Sequence, residues 1–354
     1  MSDFDTDIFP VANFKPFTGC GLSRTNRFSS GRIHFVRMYP PANLRDSFMW
    51  PFSRDARHFD TPVDQELADR LITHVDVLSD VIGVRHLDKP GTMEGASAYI
   101  EQQFSQMGFS VEKECYEIGS HSTHNLIAQI PGVRRASEII ILGAHYDTVW
   151  DSPGADDNAS AVAVLIEVAR LLKDHQSART IRFVAFTCEE APYFNLGQMG
   201  SQHHARQSRS RGDNIAGMLC LEMMGYYRDE PGSQRLPPGI PRWATWAFPS
   251  TANFLGAIGN PMSWKLCWQF RRGFKRATRF PLFSVCLPEK IQEIRRSDNS
   301  SFWDCGYPAL MLTDTSFLRS PHYHQPSDTP NTLNYSRMSH VTAGVAEAVR
   351  RLAR

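Results

Sequence analysis

Four apolar runs lie between residues 139 and 312 of the chain. They are Ile139–Leu142, Ile181–Phe186, Met218–Leu221 and Pro308–Leu312, and the second is interrupted by Arg182. The first run is continuous and without alternation, which is typical of a strand that is covered on both faces, as in a parallel or mixed sheet. Two further strands are predicted at residues 109–118 and 125–130, the second ended by a Pro-Gly pair.

Apolar residues spaced three and four apart predict helices between these strands. The predicted helices start at Val63, cover Thr92–Met107 and residues 162–172, and then run from Gln198 to about Ser208, from Met262 to about Ala277 and from Ser336 to Leu352. Strands that alternate with helices indicate the α/β class. We therefore predict a three-layer α/β/α sandwich with a mixed, mostly parallel central sheet.

The periodic part of the chain begins near Val63. Residues 1–62 have no sustained period of two or 3.6 residues, which predicts an irregular N-terminal extension that packs on the main body or on another subunit. Residues 63–354 are expected to form one domain. The extension could also hold an oligomer together.

Composition and charge narrow the class of protein. The chain has 354 residues, of which 42% are hydrophobic and 21% charged, as in an ordinary globular protein. With 38 basic and 37 acidic residues, no nucleic-acid or membrane partner is expected. No apolar run approaches the ~18 residues of a membrane span, and no secretory signal is visible, so we expect a cytoplasmic protein. Seven cysteines without a C-x-x-C pair favour reduced thiols.

Acidic residues and histidines follow the predicted strands. The candidates are His145, Asp157, Glu189, Glu190, Glu222 and His324. Because parallel strands end at one edge of a sheet, these side chains are expected to converge in one crevice. Taken singly, each has an ordinary explanation: Asp156 and Asp157 could cap a helix, and Glu222 could form a salt bridge.

Taken together, the candidates indicate a metal site. Three carboxylates and two imidazoles at one place would repel strongly without cations. Two divalent metals would neutralise them, and the mixed nitrogen and oxygen ligands suit zinc, although manganese or cobalt could use similar ligands. Glu189 precedes a proposed ligand and suits a general base. Asp147 could accept the second imidazole N–H of His145 and orient the ring.

The sequence resembles the M28 zinc aminopeptidases over about residues 80–350. The resemblance is carried by these motifs: His145-Tyr-Asp147, Gly154-Ala-Asp-Asp-Asn-Ala-Ser160, Glu189-Glu190, the carboxylate after the third strand, and Tyr323-His324 before Asp328-Thr329. It implies a site with two zinc ions. His145 and Glu222 would bind one ion, and Glu190 and His324 the other, the exchanged pairing being the alternative.

The resemblance also selects Asp157 over Asp156 as the bridging ligand and Glu189 as the base, and it implies a cis peptide between Asp157 and Asn158. Tyr323 matches a residue that can hydrogen-bond the oxygen of the tetrahedral intermediate; its alternative role is packing beside the ligand.

Two positions depart from the family. Glu222 stands where Asp is frequent, and Asn299 stands where many relatives have His, with no role assigned to it.

The predicted function is therefore hydrolysis of an N-terminal peptide bond in a peptide or aminoacyl substrate with a free N-terminus. The nearest alternative is a glutaminyl-cyclase-like enzyme with one zinc. The presence of both His145 and His324, together with the pair Glu189-Glu190, favours two metals. A third possibility is a non-catalytic, receptor-like relative; such relatives commonly lose ligands, whereas this chain retains all five.

Overall fold

The computed structural model describes residues 62–238, 240 and 242–354. Their strands form one eight-stranded sheet. The strands are β1 (Glu112–Ile118), β2 (His121–Ile130), β3 (Arg135–His145), β4 (Arg179–Phe186), β5 (Asn214–Glu222), β6 (Leu255–Gly259), β7 (Leu282–Cys286) and β8 (Ala309–Thr313). The helices are α1 (Gln65–Asp76), α2 (Thr92–Gln106), α3 (Ala161–Leu172), α4 (Tyr193–Leu196), α5 (Gly200–Arg211), α6 (Trp264–Ala277), α7 (Asn299–Asp304) and α8 (Tyr335–Leu352).

The sheet is mixed, with a parallel centre. Its strand order is β1-β2-β4-β3-β5-β8-β6-β7, and the four central strands β4, β3, β5 and β8 run parallel. Antiparallel pairing occurs between β1 and β2, β2 and β4, and β6 and β8. The ends of the central strands are level, because His145 pairs with Phe186 and Glu222 pairs with Thr313. Residues that follow these strands therefore emerge at one edge.

Helices cover both faces of the sheet, so the predicted α/β sandwich is confirmed. One apolar core lies under helices α1, α2, α3, α6 and α8; its buried members include Leu71, Phe104, Leu165, Phe270 and Val345. A second core lies on the opposite face under α5 and α7; its buried members include Ile141, Val184, Ala205, Met218 and Phe302. The central strands are covered on both sides, which explains their continuous apolar runs.

Two strands and two short helices, α4 and α7, were not predicted. Strand β6 has a weak pattern because it contains Gly256 and Gly259, which lie against β8. A Cβ atom on Gly259 would meet Leu310 Cδ2 at 2.8 Å, and one on Gly256 would meet the Thr313 carbonyl oxygen at 3.2 Å. Close packing therefore favours glycine at positions where sequence patterns expect a bulky residue. Strand β7 and helices α4 and α7 have only five, four and six residues, too few to show a period.

Several boundaries also differ from the prediction. Strand β2 begins at His121 rather than at residue 125, β1 begins at Glu112 rather than at residue 109, and α6 begins at Trp264 after a short turn. The predicted extension falls, all but its last residue, outside the described part of the chain, so the domain division stays a prediction. None of the described helices is both long enough and apolar enough to cross a membrane.

Candidate metal centre

The first group of candidate ligands lies where β3 and β5 end. His145 Nε2 is 3.4 Å from Asp157 Oδ1 and 3.5 Å from Glu222 Oε2. The ligand atoms of these three residues all lie within 4.8 Å of one another. His145 is fully buried, and the two carboxylates are nearly so. One metal ion can be bound by this group.

The second group lies beside the first and shares Asp157 with it. His324 Nε2 is 3.3 Å from Asp157 Oδ2 and 3.3 Å from Glu190 Oε2. These three ligand atoms again lie within 4.8 Å of one another. Asp157 thus presents Oδ1 to one group and Oδ2 to the other. The structure brings together all five predicted ligands, in two groups of three with one carboxylate in common.

The donor atoms have the properties expected of metal ligands. Among the described residues, His145 Nε2, Asp157 Oδ1 and His324 Nε2 are buried without a hydrogen-bond partner. Buried polar atoms in that condition are rare, because each carries a desolvation penalty that nothing offsets. Imidazole nitrogens and carboxylate oxygens together form a ligand set that zinc accepts. The residues present therefore fit a pair of zinc ions.

The protonation equilibria of the site reflect its crowding. Burial and the Asp157 charge together raise the pKa of Glu190 to about 7, against the opposing effect of His324. Burial would lower the pKa of His324, but the neighbouring carboxylates of Asp157 and Glu190 outweigh burial and raise it to about 10. The raised pKa values mean that Glu190 and His324 tend to hold protons, which reduce the negative charge of the site. Bound cations would replace these protons and keep the carboxylates ionised.

A network of backbone hydrogen bonds positions the shared ligand. The Asp328 carboxylate accepts the N–H groups of Asp156 and Asp157, at 2.9 and 3.0 Å. The peptide between Asp157 and Asn158 is cis, as the family resemblance implies. Asn158 then binds both sides of Glu222: its amide donates to the Leu221 carbonyl at 3.1 Å, and its oxygen accepts the N–H of Met223 at 2.9 Å.

Asp156 has a different role from its neighbour. Its Oδ1 accepts the N–H of Gly225 at 2.9 Å and the hydroxyl of Ser160 at 3.0 Å. These bonds direct the Asp156 carboxylate to the loop after β5 and not to either ligand group. The geometry therefore agrees with the assignment of the shared ligand to Asp157.

Tight turns bring the ligands into position after the strands end. Cys188, Met223 and His324 have positive φ angles of 55°, 48° and 56°. Residues other than glycine rarely adopt this left-handed conformation, and where they do it commonly marks a functional site. Here the turns precede Glu189, follow Glu222 and include the candidate ligand His324. Local strain is thus concentrated where side chains must point into the crevice.

Glu222 and Tyr323 are each held by a neighbouring side chain. The Ser297 hydroxyl donates to Glu222 Oε2 at 2.7 Å, which holds the carboxylate near His145. The Tyr323 ring stacks on His324, with centroids 3.7 Å apart. Burial raises the pKa of Tyr323, and the charge of Asp157 raises it further. The phenol therefore keeps its proton and can donate a hydrogen bond.

Sequence reasoning assigned no role to several residues that support the site. Asp328 was noted only as part of a motif, and Ser297 was not noted. Arg85 is fully buried and donates to carbonyl oxygens of the loops around the site, including that of Tyr146 at 2.8 Å and that of Gly154 at 2.9 Å. No local sequence signal marks these residues, because the partners described here lie 61 to 172 positions away.

Two buried polar residues, Asp298 and Asn299, lie at the start of α7. Asn299, which had no assigned role, donates its amide to the Ile294 carbonyl at 2.9 Å. It thus holds the turn that leads to α7. Burial and the charge of Glu222 raise the pKa of the adjacent Asp298 to about 7, although His145 opposes this shift. Asp298 is therefore a further carboxyl group close to the candidate metal centre.

Two cavities open beside the ligands. The first, of about 80 Å³, is mostly apolar and reaches Glu222 and Tyr323. Its apolar lining includes Phe254, Ile258, Phe283, Val285, Leu287 and Met311. The second is a polar groove of about 490 Å³, which contains Glu189, Glu190 and His324. Tyr323 and Arg296 line both cavities. The candidate metal centre is thus reached from an apolar side and a polar side.

Fold and site together define a protein of the metallopeptidase class. The model of peptidase family M28 matches residues 125–349, which is more than half of the chain. The chain belongs to this family, as its motifs predicted. The uncharacterized protein YfbL of Escherichia coli (strain K12) is 33% identical over 286 residues, which cover 78% of this chain and 86% of that protein.

Relatives with a named activity are more distant. Leucine aminopeptidase 1 of Arthroderma otae is 28% identical over 229 residues, which cover 61% of this chain and 54% of that protein. The chain thus spans about half the length of this relative. A zinc aminopeptidase from Bacillus subtilis has the same fold, with a TM-score of 0.62 at 16% identity, over 80% of this chain and 94% of that one. A glutaminyl cyclase from Fimbriiglobus ruber also has this fold, with a TM-score of 0.57 at 19% identity, over 83% of this chain and 99% of that one.

Proposed function

We propose that the chain is an aminopeptidase that uses two zinc ions. The observation that carries the proposal is the position of Asp157, whose two carboxylate oxygens face two separate groups of ligands. A carboxylate shared in this way is the usual bridge of a two-metal hydrolase site. The leucine aminopeptidases among the relatives and the zinc aminopeptidases among the structural matches support the same activity.

The five ligands divide between the ions as the distances suggest. His145 and Glu222 would bind one ion, Glu190 and His324 the other, and Asp157 both. Two zinc ions bound there would polarise the scissile carbonyl and lower the pKa of water at the site. Manganese or cobalt could occupy the same ligands.

Glu189 is the proposed general base. It lies in the crevice but belongs to neither ligand group, and its Oε2 is 3.9 Å from His145 Nε2. Burial raises the pKa of Glu189 well above its usual value, which increases its affinity for a proton. Glu189 would accept a proton from the attacking water at a carboxylate oxygen and deliver it to the leaving amine.

Tyr323 is the proposed donor to the developing oxyanion. Its phenol keeps its proton, and it lies between the two cavities, beside His324. A hydrogen bond aimed at the oxygen that gains charge in the transition state lowers the barrier more than it stabilises bound substrate.

The apolar cavity defines the expected substrate. It opens at Glu222, so it can accept the side chain of the first residue while the α-amino group lies near the carboxylates of Glu222 and Glu189. Its lining of Phe, Ile, Val, Leu and Met residues favours an apolar side chain by the burial of nonpolar surface. We therefore expect leucine-like N-terminal residues to be preferred.

A glutaminyl-cyclase-like function with one zinc is the main rival, since cyclases share the fold. Two complete ligand groups favour two ions over one. A receptor-like role without catalysis would place no demand on Glu189, yet this carboxylate is present and buried beside the ligands.

Zinc analysis combined with a substrate screen tests the proposal. We expect about two zinc ions per chain, cleavage of leucine p-nitroanilide, and loss of activity with a chelator that added zinc reverses. One zinc per chain with cyclisation of N-terminal glutamine and no peptide hydrolysis would establish the cyclase. Full metal content without turnover of any substrate would favour the receptor-like role.

A further inference from the structure

Arg296 is an exposed cation at the junction of the apolar cavity and the polar groove. Its guanidinium carbon lies 5.0 Å from the centre of the Phe317 ring, which holds the side chain over an aromatic face. Its Nη2 lies 3.5 Å from the hydroxyl oxygen of Tyr323. Arg296 makes no ion pair with a carboxylate in the part of the chain that the structure describes.

The neighbouring arginine differs in this respect. Arg295 also lines the groove, but its guanidinium pairs with Glu289 and, at 2.6 Å, with Asp304. The charge of Arg295 is therefore compensated within the protein, whereas that of Arg296 is available to a ligand. Arginine binds carboxylates through two parallel N–H donors, a geometry that fixes both position and orientation.

The position of Arg296 relates it to one part of a substrate. A peptide whose first side chain fills the apolar cavity must continue past the ligands into the groove that contains Glu190 and His324. One residue extends the chain by at most about 3.6 Å. Because Arg296 lies against Tyr323, which stacks on His324, its guanidinium is within reach of the residue that follows the scissile bond.

We propose that Arg296 binds a carboxylate carried by the residue after the scissile bond, so that the preferred substrates are dipeptides with an apolar first residue. The free C-terminus of a dipeptide supplies this group, and an acidic side chain at the same residue is a second source. The inference rests on the proposed aminopeptidase function and specifies its substrate class.

Four substrates test it: Leu-Ala, Leu-Ala-amide, Leu-Asp-amide and leucine p-nitroanilide. Each is assayed with the unaltered zinc-loaded chain and with the variants Arg296→Gln, Arg296→Lys and Arg272→Gln. Arg272 is the matched control, because it is also exposed and its guanidinium carbon lies 4.5 Å from the centre of the Trp268 ring, yet it lines neither cavity at the metal site.

We expect kcat/KM for Leu-Ala to exceed that for Leu-Ala-amide by about tenfold to a hundredfold, the size of a hydrogen bond to a charged group. Arg296→Gln should bring this ratio close to one. Arg296→Lys should retain part of it, since lysine keeps the charge without the paired donors. Arg272→Gln should leave the ratio unchanged. A gain for Leu-Asp-amide over Leu-Ala-amide would show that a side-chain carboxylate is also accepted.

Equal kcat/KM for Leu-Ala and both amides in the unaltered chain would overturn the inference. So would an Arg296→Gln variant that slows all four substrates by one common factor, which would instead indicate that Arg296 assists Tyr323 in catalysis. In both cases leucine p-nitroanilide would still be cleaved, and the proposed function would stand. A zinc-loaded chain that cleaves none of the four would contradict the proposed function itself.

Discussion

The carboxylate of Asp147 fixes the backbone of Glu189. Its Oδ1 accepts the N–H of Glu189 at 3.0 Å, and its Oδ2 accepts the N–H of Glu190 at 3.0 Å. The same Oδ1 lies 3.4 Å from His145 Nδ1. One buried carboxylate thus positions the proposed base and a proposed ligand, and it faces the ring of a second ligand. Sequence reasoning expected only the contact with His145.

Replacement of Asp147 by Asn should impair the site without unfolding the protein. Asparagine has one carboxamide oxygen, so it can hold only one of the two N–H groups. We expect zinc affinity or kcat to fall by about tenfold to a hundredfold, as is usual for residues that orient metal ligands. Zinc titration and steady-state kinetics measure this. Asp151→Asn, at an exposed position, serves as control; equal behaviour of the two variants would contradict the role of Asp147.

Glu189→Gln should separate chemistry from metal binding. Glutamine has nearly the same shape but cannot accept the proton, so kcat should fall by about 10²- to 10⁴-fold while zinc content and melting temperature persist. The exposed Glu117→Gln on β1 is the control. Full activity of Glu189→Gln on aminoacyl p-nitroanilides would rule out the general base.

Removal of single carboxylates should reveal the division of the ligands. Glu222→Ala and Glu190→Ala each truncate one group, so each should weaken one zinc ion and spare the other. Asp157→Ala should weaken both, since each oxygen faces one group. Elemental analysis after dialysis counts the ions retained. Two tightly held ions in Glu222→Ala would show that the longer carboxylate at this position is not a ligand.

The residues that converge at the site could be predicted for a physical reason. A strand covered on both faces must be apolar throughout, so its end is visible in the sequence, and a polar residue just beyond it must lie at the edge of the sheet. This reasoning located His145, Glu190 and Glu222. It did not separate Asp157 from Asp156, because both follow the same glycine turn and both are buried. That distinction depended on the family resemblance.

The remaining features depend on contacts between distant segments. Ser297 donates to Glu222 across 75 positions, and Asp328 accepts the N–H of Asp157 across 171. No local periodicity reports such contacts. Strand β6 was missed for a related reason, because Gly256 and Gly259 are small where β8 approaches closely. Hydrophobic patterns indicate which residues are buried, whereas the glycines of β6 are required by the close packing of the neighbouring strand β8.

The apolar cavity should determine the preference for the first residue. Val285→Phe adds a ring to its wall, so kcat/KM for leucine p-nitroanilide should fall by about tenfold relative to alanine p-nitroanilide, within the range for a change of one or two methylenes in a hydrophobic pocket. Val285→Ala enlarges the same wall and should shift preference toward phenylalanine. An unchanged ratio of leucine to alanine in both variants would place the side chain elsewhere.

Glu167 should make the stability of the protein depend on pH in the acid range. Its buried carboxylate on α3 receives hydrogen bonds from His74 and Arg70 of α1, at 3.1 and 2.8 Å, and from Arg170 at 2.9 Å. Burial would raise the pKa of Glu167, but these bonds outweigh burial and lower it to about 2. The ionised form thus ties α1 to α3.

Because the folded pKa lies below the unfolded value of about 4.3, the stabilisation is complete above pH 4.3 and disappears as the pH falls through about 2. Glu167→Gln should therefore lower the free energy of unfolding by about 2 kcal/mol at pH 7, the value of hydrogen bonds to a charged group. The difference from the unaltered chain should shrink below pH 4. Urea unfolding at several pH values measures it. Glu66→Gln, which removes an exposed carboxylate from the same Arg70, should have little effect, and a Glu167→Gln difference that stays constant down to pH 2.5 would contradict the assignment.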